Sequence, residues 1–385
     1  MTERFRIDLT GPESHVLVRR PGERAISIGP HEQCDLVVGN EQQVQWDALD
    51  EPSLVAAGWP STLRYEGADP EVARWAARRG IENLQVTASR KLDLDLTETS
   101  LQYLTLRAAG HPLSATLPSA TTLDYIALAG DPAEITVRLH PDGSVPGVIL
   151  EPTRTGGRER RLAPSEGSAG ARSLPMPPAL RDTATVLVYG DPFDVPFDAR
   201  SLLSYPHLSR VELRGAVAHL DALARLPLHS LELRYVPDLT GLPPLSTWPH
   251  LAQVIVWNSD AAATKRVRSE VRRMPPGEGL RSASQGRDAA WFATEHGLPF
   301  SAWPKQSASA ATRAFREAAK EITAAASPEE AQAAIEHLVR AANALPEIFT
   351  SEREDLGEAV WLLAQLTEHL DPAAAMARFD AVRDF

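Results

Sequence analysis

The sequence predicts an α+β protein in which a parallel β-solenoid precedes an all-α helical bundle. Two observations support this fold class. A short motif of alternating apolar residues recurs six times at a nearly constant spacing. From about residue 308 to the end, the apolar residues instead recur at helical spacing. The chain has 385 residues, which is long enough for two or three domains.

The recurring motif reads apolar-x-x-apolar-x-apolar. Its clear copies are 81–86, 101–106, 123–128, 208–213, 228–233 and 251–256. The central apolar residues are 20 positions apart from Leu84 to Leu104 and 23 apart from Leu231 to Val254. Each apolar-x-apolar pair points two side chains inward from a short strand. One repeat cannot bury its apolar side alone, so the repeats are expected to stack into a parallel sheet.

The motif and its period resemble those of the leucine-rich-repeat family, over roughly Trp59 to Trp257. The resemblance implies a solenoid whose sheet forms a concave surface that binds another macromolecule. The Asn or Cys that usually follows the strand in that family is mostly absent here.

The returns between these strands are predicted to differ in the two halves of the array. The first half carries a second alternating run in each repeat, at 92–96, 113–117 and 135–139. We interpret these runs as strands on the opposite side of the repeat. The second half has helical or 3₁₀-like returns, such as 218–225. One true helix is expected after Asp69-Pro70, ending at Gly80.

These patterns divide the chain into four segments. They are an N-terminal β cap at 1–55, the solenoid at 56–260, a capping helix and linker at 261–280, and the C-terminal helical domain at 281–385. Residues 152–178 are rich in Gly, Pro, Ser and Arg and are predicted to form a flexible loop, because Val148 and Val186 lie nearly two repeats apart. Ser327-Pro328 and Asp371-Pro372 are expected to begin helices of the last domain.

The composition favours a cytoplasmic protein. The formal net charge is −12, which disfavours a nucleic-acid partner because phosphate binding needs a cationic surface. Cys34 is the single cysteine, so an internal disulfide is excluded. The sequence shows neither a signal peptide nor an apolar run of the roughly 20 residues that a membrane span needs.

Enzyme signatures are weak. The sequence contains no phosphate-binding loop ending in Gly-Lys-Ser/Thr, no paired-His zinc motif and no Gly-x-Ser-x-Gly elbow. Bacterial leucine-rich-repeat ubiquitin ligases use a cysteine in a helical C-terminal domain, and this chain has none there. The 11 histidines are scattered. We therefore predict no catalytic site, no metal and no cofactor.

The candidate binding residues are outward-facing positions of the predicted sheet. They combine apolar and aromatic residues with two glutamates on adjacent strands, flanked by arginines. The set is Tyr103, Arg107, Tyr125, Ile149, Leu187, Tyr189, Arg210, Glu212, Arg214, Glu232, Arg234 and Trp257. Ala127, Ile149 and Leu187 predict a contiguous apolar patch. The glutamate pair is open to two interpretations, a self-satisfied ion network or a charged anchor that specifies the partner.

We therefore predict a protein–protein interaction module that binds a protein or peptide on the concave face. Two alternatives stay open. One is a catalytic or nucleotide-handling helical domain that the repeats target. The other is an oligomeric scaffold, in which the chain forms a homo-oligomer.

Overall fold

The structure is a computed structural model of a mixed α/β protein. It describes residues 3–19, 24–50, 60–118, 122–141, 145–152, 170–275, 277, 279–289, 291–292, 296–298, 300, 303–346, 348 and 350–384. The described residues separate into two compact units between Arg287 and Asp288.

The first unit contains all the described strands and two helices. The strands are β1 (Glu3–Ile7), β2 (His15–Arg19), β3 (Ala25–Gly29), β4 (Leu36–Val37), β5 (Thr62–Gly67), β6 (Asn83–Ala88), β7 (Leu92–Asp95), β8 (Tyr103–Arg107), β9 (Leu113–Thr116), β10 (Tyr125–Gly130), β11 (Ile135–Arg138), β12 (Gly147–Pro152), β13 (Thr185–Tyr189), β14 (Phe197–Asp198), β15 (Arg210–Arg214), β16 (Val217–Ala218), β17 (Ser230–Arg234), β18 (Gln253–Trp257) and β19 (Arg281–Ser284). The helices are α1 (Glu71–Arg79) and α2 (Ala261–Val271).

Twelve strands form one large sheet, in the order β19-β18-β17-β15-β13-β12-β10-β8-β6-β5-β3-β4. Its neighbouring strands pair in parallel, as the recurring motif predicted. The inward-facing apolar residues of successive strands stack into one core. Leu84, Ile126 and Val211 are each 0 % exposed in that core. The spacing of the repeats therefore places one apolar layer beneath the sheet.

The returns follow the predicted division into two halves. In the first half, β7, β9 and β11 pair in parallel as a separate three-stranded sheet. In the second half, Leu220–Arg225 form a 3₁₀ helix, and β14 pairs with β16 in a small second sheet. Helix α1 ends at Gly80, whose φ of 59° is left-handed.

The main sheet extends beyond both predicted ends of the repeats. At the N-terminal end, β3 and β4 join it while β1 and β2 form an antiparallel pair. At the other end, β19 pairs with β18, although the predicted bounds of the C-terminal helical domain, 281–385, include residues 281–284. Helix α2 lies between these two strands in the sequence and buries Thr264 and Val267. It is therefore the return of a further repeat, and a strand follows it.

No strand lies between β12 and β13 in the main sheet, because these two strands pair directly with each other. Residues 153–169 of the predicted flexible loop lie outside the described residues. The described chain from residue 170 onward belongs to the first unit, where Leu174 and Leu180 are buried in the core.

A buried hydroxyl connects two neighbouring repeats near the C-terminal ends of their strands. Ser259 is 0 % exposed, and its hydroxyl lies within donating distance of two carbonyl oxygens, 3.1 Å from that of Trp257 and 3.3 Å from that of Leu233. The same hydroxyl oxygen accepts the backbone N–H of Val236 at 3.2 Å. It therefore satisfies polar backbone groups that burial would otherwise leave without a partner.

The second unit is helical. Its helices are α3 (Lys305–Ala324), α4 (Pro328–Asn343), α5 (Thr350–Ala364) and α6 (Pro372–Val382), which share one apolar core. The predicted starts at Pro328 and Pro372 are confirmed. The Ser327 hydroxyl accepts the N–H of Glu330 at 3.2 Å as an N-cap. Among the described residues, no helix is both long enough and apolar enough to cross a bilayer.

Candidate binding face

The outward-facing residues of β6, β8, β10, β12, β13, β15, β17 and β18 form what we call the outer face. Three ladders cross these strands: the first residue of each strand forms the entry ladder, the third the middle ladder and the fifth the exit ladder. Glu212 of β15 lies opposite Glu232 of β17, which lies opposite Ile255 of β18. Tyr103 likewise lies opposite Tyr125. This register is the one that the aligned repeats predicted.

The two glutamates of the middle ladder are buried. Glu212 is 7 % exposed and Glu232 is 5 % exposed, although both point away from the core. Two ionised carboxylates on directly opposite residues repel each other unless cations neutralise them. The fold therefore requires positive charge close to this pair.

Arginines from the flanking ladders supply that charge. Arg214 contacts Glu212 through Nε and Nη2, both at 2.6 Å. Arg234 contacts Glu232 through Nη2 at 3.1 Å, and its Nε also lies 3.6 Å from Glu212. Arg210 is 3.5 Å from Glu232. Three arginines and two glutamates leave this cluster with a formal charge of +1.

The arginines are held with one edge inward and remain partly exposed. The side chains of Arg210, Arg214 and Arg234 are 45 %, 38 % and 30 % exposed. Within the described part of the chain, no hydrogen bond engages their Nη1 atoms. Gln253 adds a further inward contact, donating from Nε2 to Glu232 at 2.8 Å. The geometry contains the predicted ion network, and it also presents three guanidinium edges outward.

Tyr189 of the exit ladder lies beneath one of these arginines. The guanidinium carbon of Arg214 is 4.1 Å from the centre of the Tyr189 ring, a cation–π distance. Burial raises the pKa of the Tyr189 phenol, and the nearby Glu212 carboxylate adds to that shift while Arg214 opposes it. The phenol therefore stays protonated at neutral pH and remains a hydrogen-bond donor.

Tyr103 and Tyr125 form a separate aromatic pair on the entry ladder. Their rings stack with centres 5.9 Å apart and planes 8° apart. The Tyr125 ring lies over Gly147 on the next strand, where a Cβ atom would come within 2.6 Å of the ring. Glycine at position 147 thus allows the Tyr125 ring to lie across the neighbouring strand.

The predicted apolar patch is smaller than the sequence indicated. Ala127, Ile149 and Leu187 are neighbours on the middle ladder, as expected. However, Ala127 is only 6 % exposed and Leu187 only 8 %, which leaves Ile149 partly exposed. Middle-ladder side chains have neighbours about 4.8 Å away on both adjacent strands, and longer side chains of the other two ladders stand beside them. The apolar side chains of Ala127 and Leu187 are therefore covered by neighbouring side chains.

Two further predicted residues lie at opposite ends of the face. Trp257 is opposite Arg234 and therefore adjoins the arginine cluster. Arg107 on β8 is exposed, and β10, β12 and β13 separate it from Arg214 on β15. The structure thus brings Tyr189, Arg210, Glu212, Arg214, Glu232, Arg234 and Trp257 together and leaves Arg107 apart.

Tyr235 is a residue of this face that the sequence analysis missed. It follows β17 directly, has a left-handed φ of 55°, and contacts Trp257 edge-on with ring centres 5.2 Å apart. A bulky residue in this conformation is unusual and often marks a functional position. The only signal in the sequence is an aromatic residue one place beyond the strand, a position that the repeat pattern assigns to a turn.

The histidines do not build a metal site in the described part of the chain. His229 and His250 stack with ring centres 5.7 Å apart. No group of three or more His, Cys, Asp and Glu side chains suited to a metal ion occurs among the described residues.

Among the described residues of the second unit, the carboxyl of Asp355 has a shifted pKa. Asp355 accepts a hydrogen bond from the indole nitrogen of Trp303 at 2.8 Å. Burial raises the pKa of Asp355, the Trp303 hydrogen bond opposes that shift, and Glu358 and Glu352 add to it. Because a raised pKa means that the folded state disfavours the charged form, this group stabilises the fold less as the pH rises above about 4.

Asp355→Asn is therefore expected to raise the free energy of unfolding at pH 7, by less than about 1 kcal/mol because the group is only partly buried. The amide oxygen still accepts the Trp303 hydrogen bond. At pH 3 the wild-type carboxyl is itself protonated, so the gain should vanish. Calorimetric unfolding of the full chain at both pH values measures the difference. An equal gain at both pH values would contradict this account.

Comparison with protein-family profiles, curated proteins and solved structures finds no match for this chain.

Proposed function

We propose that the first unit is a leucine-rich-repeat-like solenoid that binds a protein or peptide partner on its outer face. The second unit, in this proposal, is a helical bundle. The arginine cluster beside Tyr189, Tyr235 and Trp257 is the observation that supports the proposal most. Arginine, tyrosine and tryptophan are the residue types that most often dominate the energy of protein interfaces.

Preorganisation strengthens this argument. The buried glutamates hold Arg214 and Arg234 in fixed positions, so these two side chains would lose less conformational entropy when a partner binds. A self-contained ion network would account for the two glutamates and for the arginines that neutralise them. It would not account for the formal charge of +1 that remains, or for the partly exposed aromatic side chains beside it.

The test is affinity capture from native lysate with the full chain and an outer-face variant, Tyr189→Ala with Arg210→Ala and Trp257→Ala. These three positions leave the contacts of Arg214 and Arg234 with the buried glutamates in place, so the variant is expected to fold. Arg225→Ala with Arg272→Ala is the matched control, because both arginines are exposed and lie away from the outer face.

A stoichiometric partner captured by the wild type and the control, and lost from the outer-face variant, is the expected result. A partner that the outer-face variant retains in full would place the contact elsewhere. Circular dichroism of all three proteins checks that the loss is not caused by unfolding.

A further inference from the structure

The arginine cluster also bears on the chemistry of the partner. We propose that the outer face binds a peptide segment carrying an Asp or Glu carboxylate, which the outward edges of Arg210, Arg214 and Arg234 receive. This inference rests on the proposed function and narrows its partner to an acidic segment.

The charge and the burial of the cluster together indicate that the partner's charge is negative. The cluster has a formal charge of +1, and the side chains of its two glutamates are at most 9 % exposed. Its positive groups are 30 % to 45 % exposed. An approaching ligand therefore meets arginine first, and the glutamates are positioning residues behind them. A charged anchor that specifies the partner was one interpretation of the glutamate pair, and the burial of both glutamates argues against direct contact with a partner.

The geometry favours a carboxylate over a diffuse anionic surface. Arg214 uses Nε and Nη2 for Glu212, so its remaining edge can donate to a second carboxylate from a fixed position. Tyr189 lies below that guanidinium, and Trp257 adjoins Arg234. An acidic residue flanked by apolar or aromatic residues would match both kinds of group.

Peptide selection tests this chemistry directly, because a random library needs no identified partner. A random twelve-residue phage library is panned on the full-length wild type, with counter-selection on the outer-face variant defined above. Peptides specific to the wild type are expected to contain Asp or Glu beside aromatic or apolar residues. Replacing the acidic residue of the synthetic peptide by its amide should lower the affinity of the wild-type protein for it at least tenfold, as measured by fluorescence anisotropy.

Four point variants then separate the roles of the residues. Arg214→Gln is expected to lower the affinity for the peptide about tenfold, and Arg225→Gln should leave that affinity unchanged. Glu212→Gln is the sharpest variant, since it makes the face more positive. If Glu212 positions Arg214, affinity falls; if Glu212 merely repels the ligand, affinity rises. If Arg214→Gln folds poorly, Arg214→Lys replaces it in the test. Lysine keeps the charge without the planar fork of arginine, so intermediate affinity is expected.

The outcomes are distinguishable. Specific peptides without acidic residues would overturn this inference and leave the proposed function standing. No enrichment on the wild type over the outer-face variant would overturn the proposed function as well. Self-association of the wild type that Arg214→Gln abolishes, measured by analytical ultracentrifugation, would identify a second copy as the occupant and also overturn the peptide inference.

Discussion

Gly215→Ala is expected to destabilise the first unit by about 3 kcal/mol, the sum of a left-handed backbone and a steric overlap. Gly215 follows β15 with a φ of +85°, where a side chain costs energy. A Cβ atom there would also lie 2.4 Å from the backbone of Gly190 in the preceding repeat. The two repeats would have to move apart, and the backbone beside Arg214 would move with them.

A matched glycine separates the two causes. Gly110 has the same φ of +85°, but a Cβ atom at that position has no neighbour within 4 Å. Gly110→Ala should therefore cost only about 1 kcal/mol, from the backbone alone. Denaturant unfolding of the full chain, followed by circular dichroism, gives both values. Equal losses in the two variants would show that the approach of the repeats at Gly190 and Gly215 is not tight.

Arg234→Met is expected to lower the free energy of unfolding by about 2 kcal/mol, less than for a fully buried pair because Arg234 is partly exposed. Arg234 is the one described residue that contacts both buried glutamates. Methionine preserves much of the volume but leaves Glu232 without its closest cation.

A double variant tests this explanation. Glu232→Met with Arg234→Met removes the charge together with its partner, and Arg214 still neutralises Glu212, so most of the lost stability should return. Arg225→Met is the control for losing an exposed arginine and should change stability by less than about 0.5 kcal/mol. Urea unfolding at pH 7 measures all four proteins. A deficit in Arg234→Met that the double variant does not repair would assign the effect to lost packing.

Much of the sheet could be predicted from the sequence because its repeats constrain one another. A shift of one residue would turn every inward apolar side chain outward, so the positions of Leu104, Ile126 and Val211 leave a single register. The opposite strands β7, β9 and β11 followed from the same alternation. Strand β19, at the end of the sheet, could not be predicted in this way. Its residues Arg281–Ser284 include a single apolar residue, Ala283, and therefore show almost no strand pattern.

In the candidate site, too, some features follow from the sequence and others only from the tertiary structure. The sequence by itself determined which residues face outward and which lie opposite each other, because the strand period is two and the spacing of the repeats is regular. Only the tertiary structure decided that Glu212 and Glu232 are buried and that Arg214 lies over Tyr189. It also decided that Tyr235 joins Trp257. Exposure and charge pairing depend on how long side chains from neighbouring strands fold over shorter ones, and a one-dimensional pattern does not contain that information.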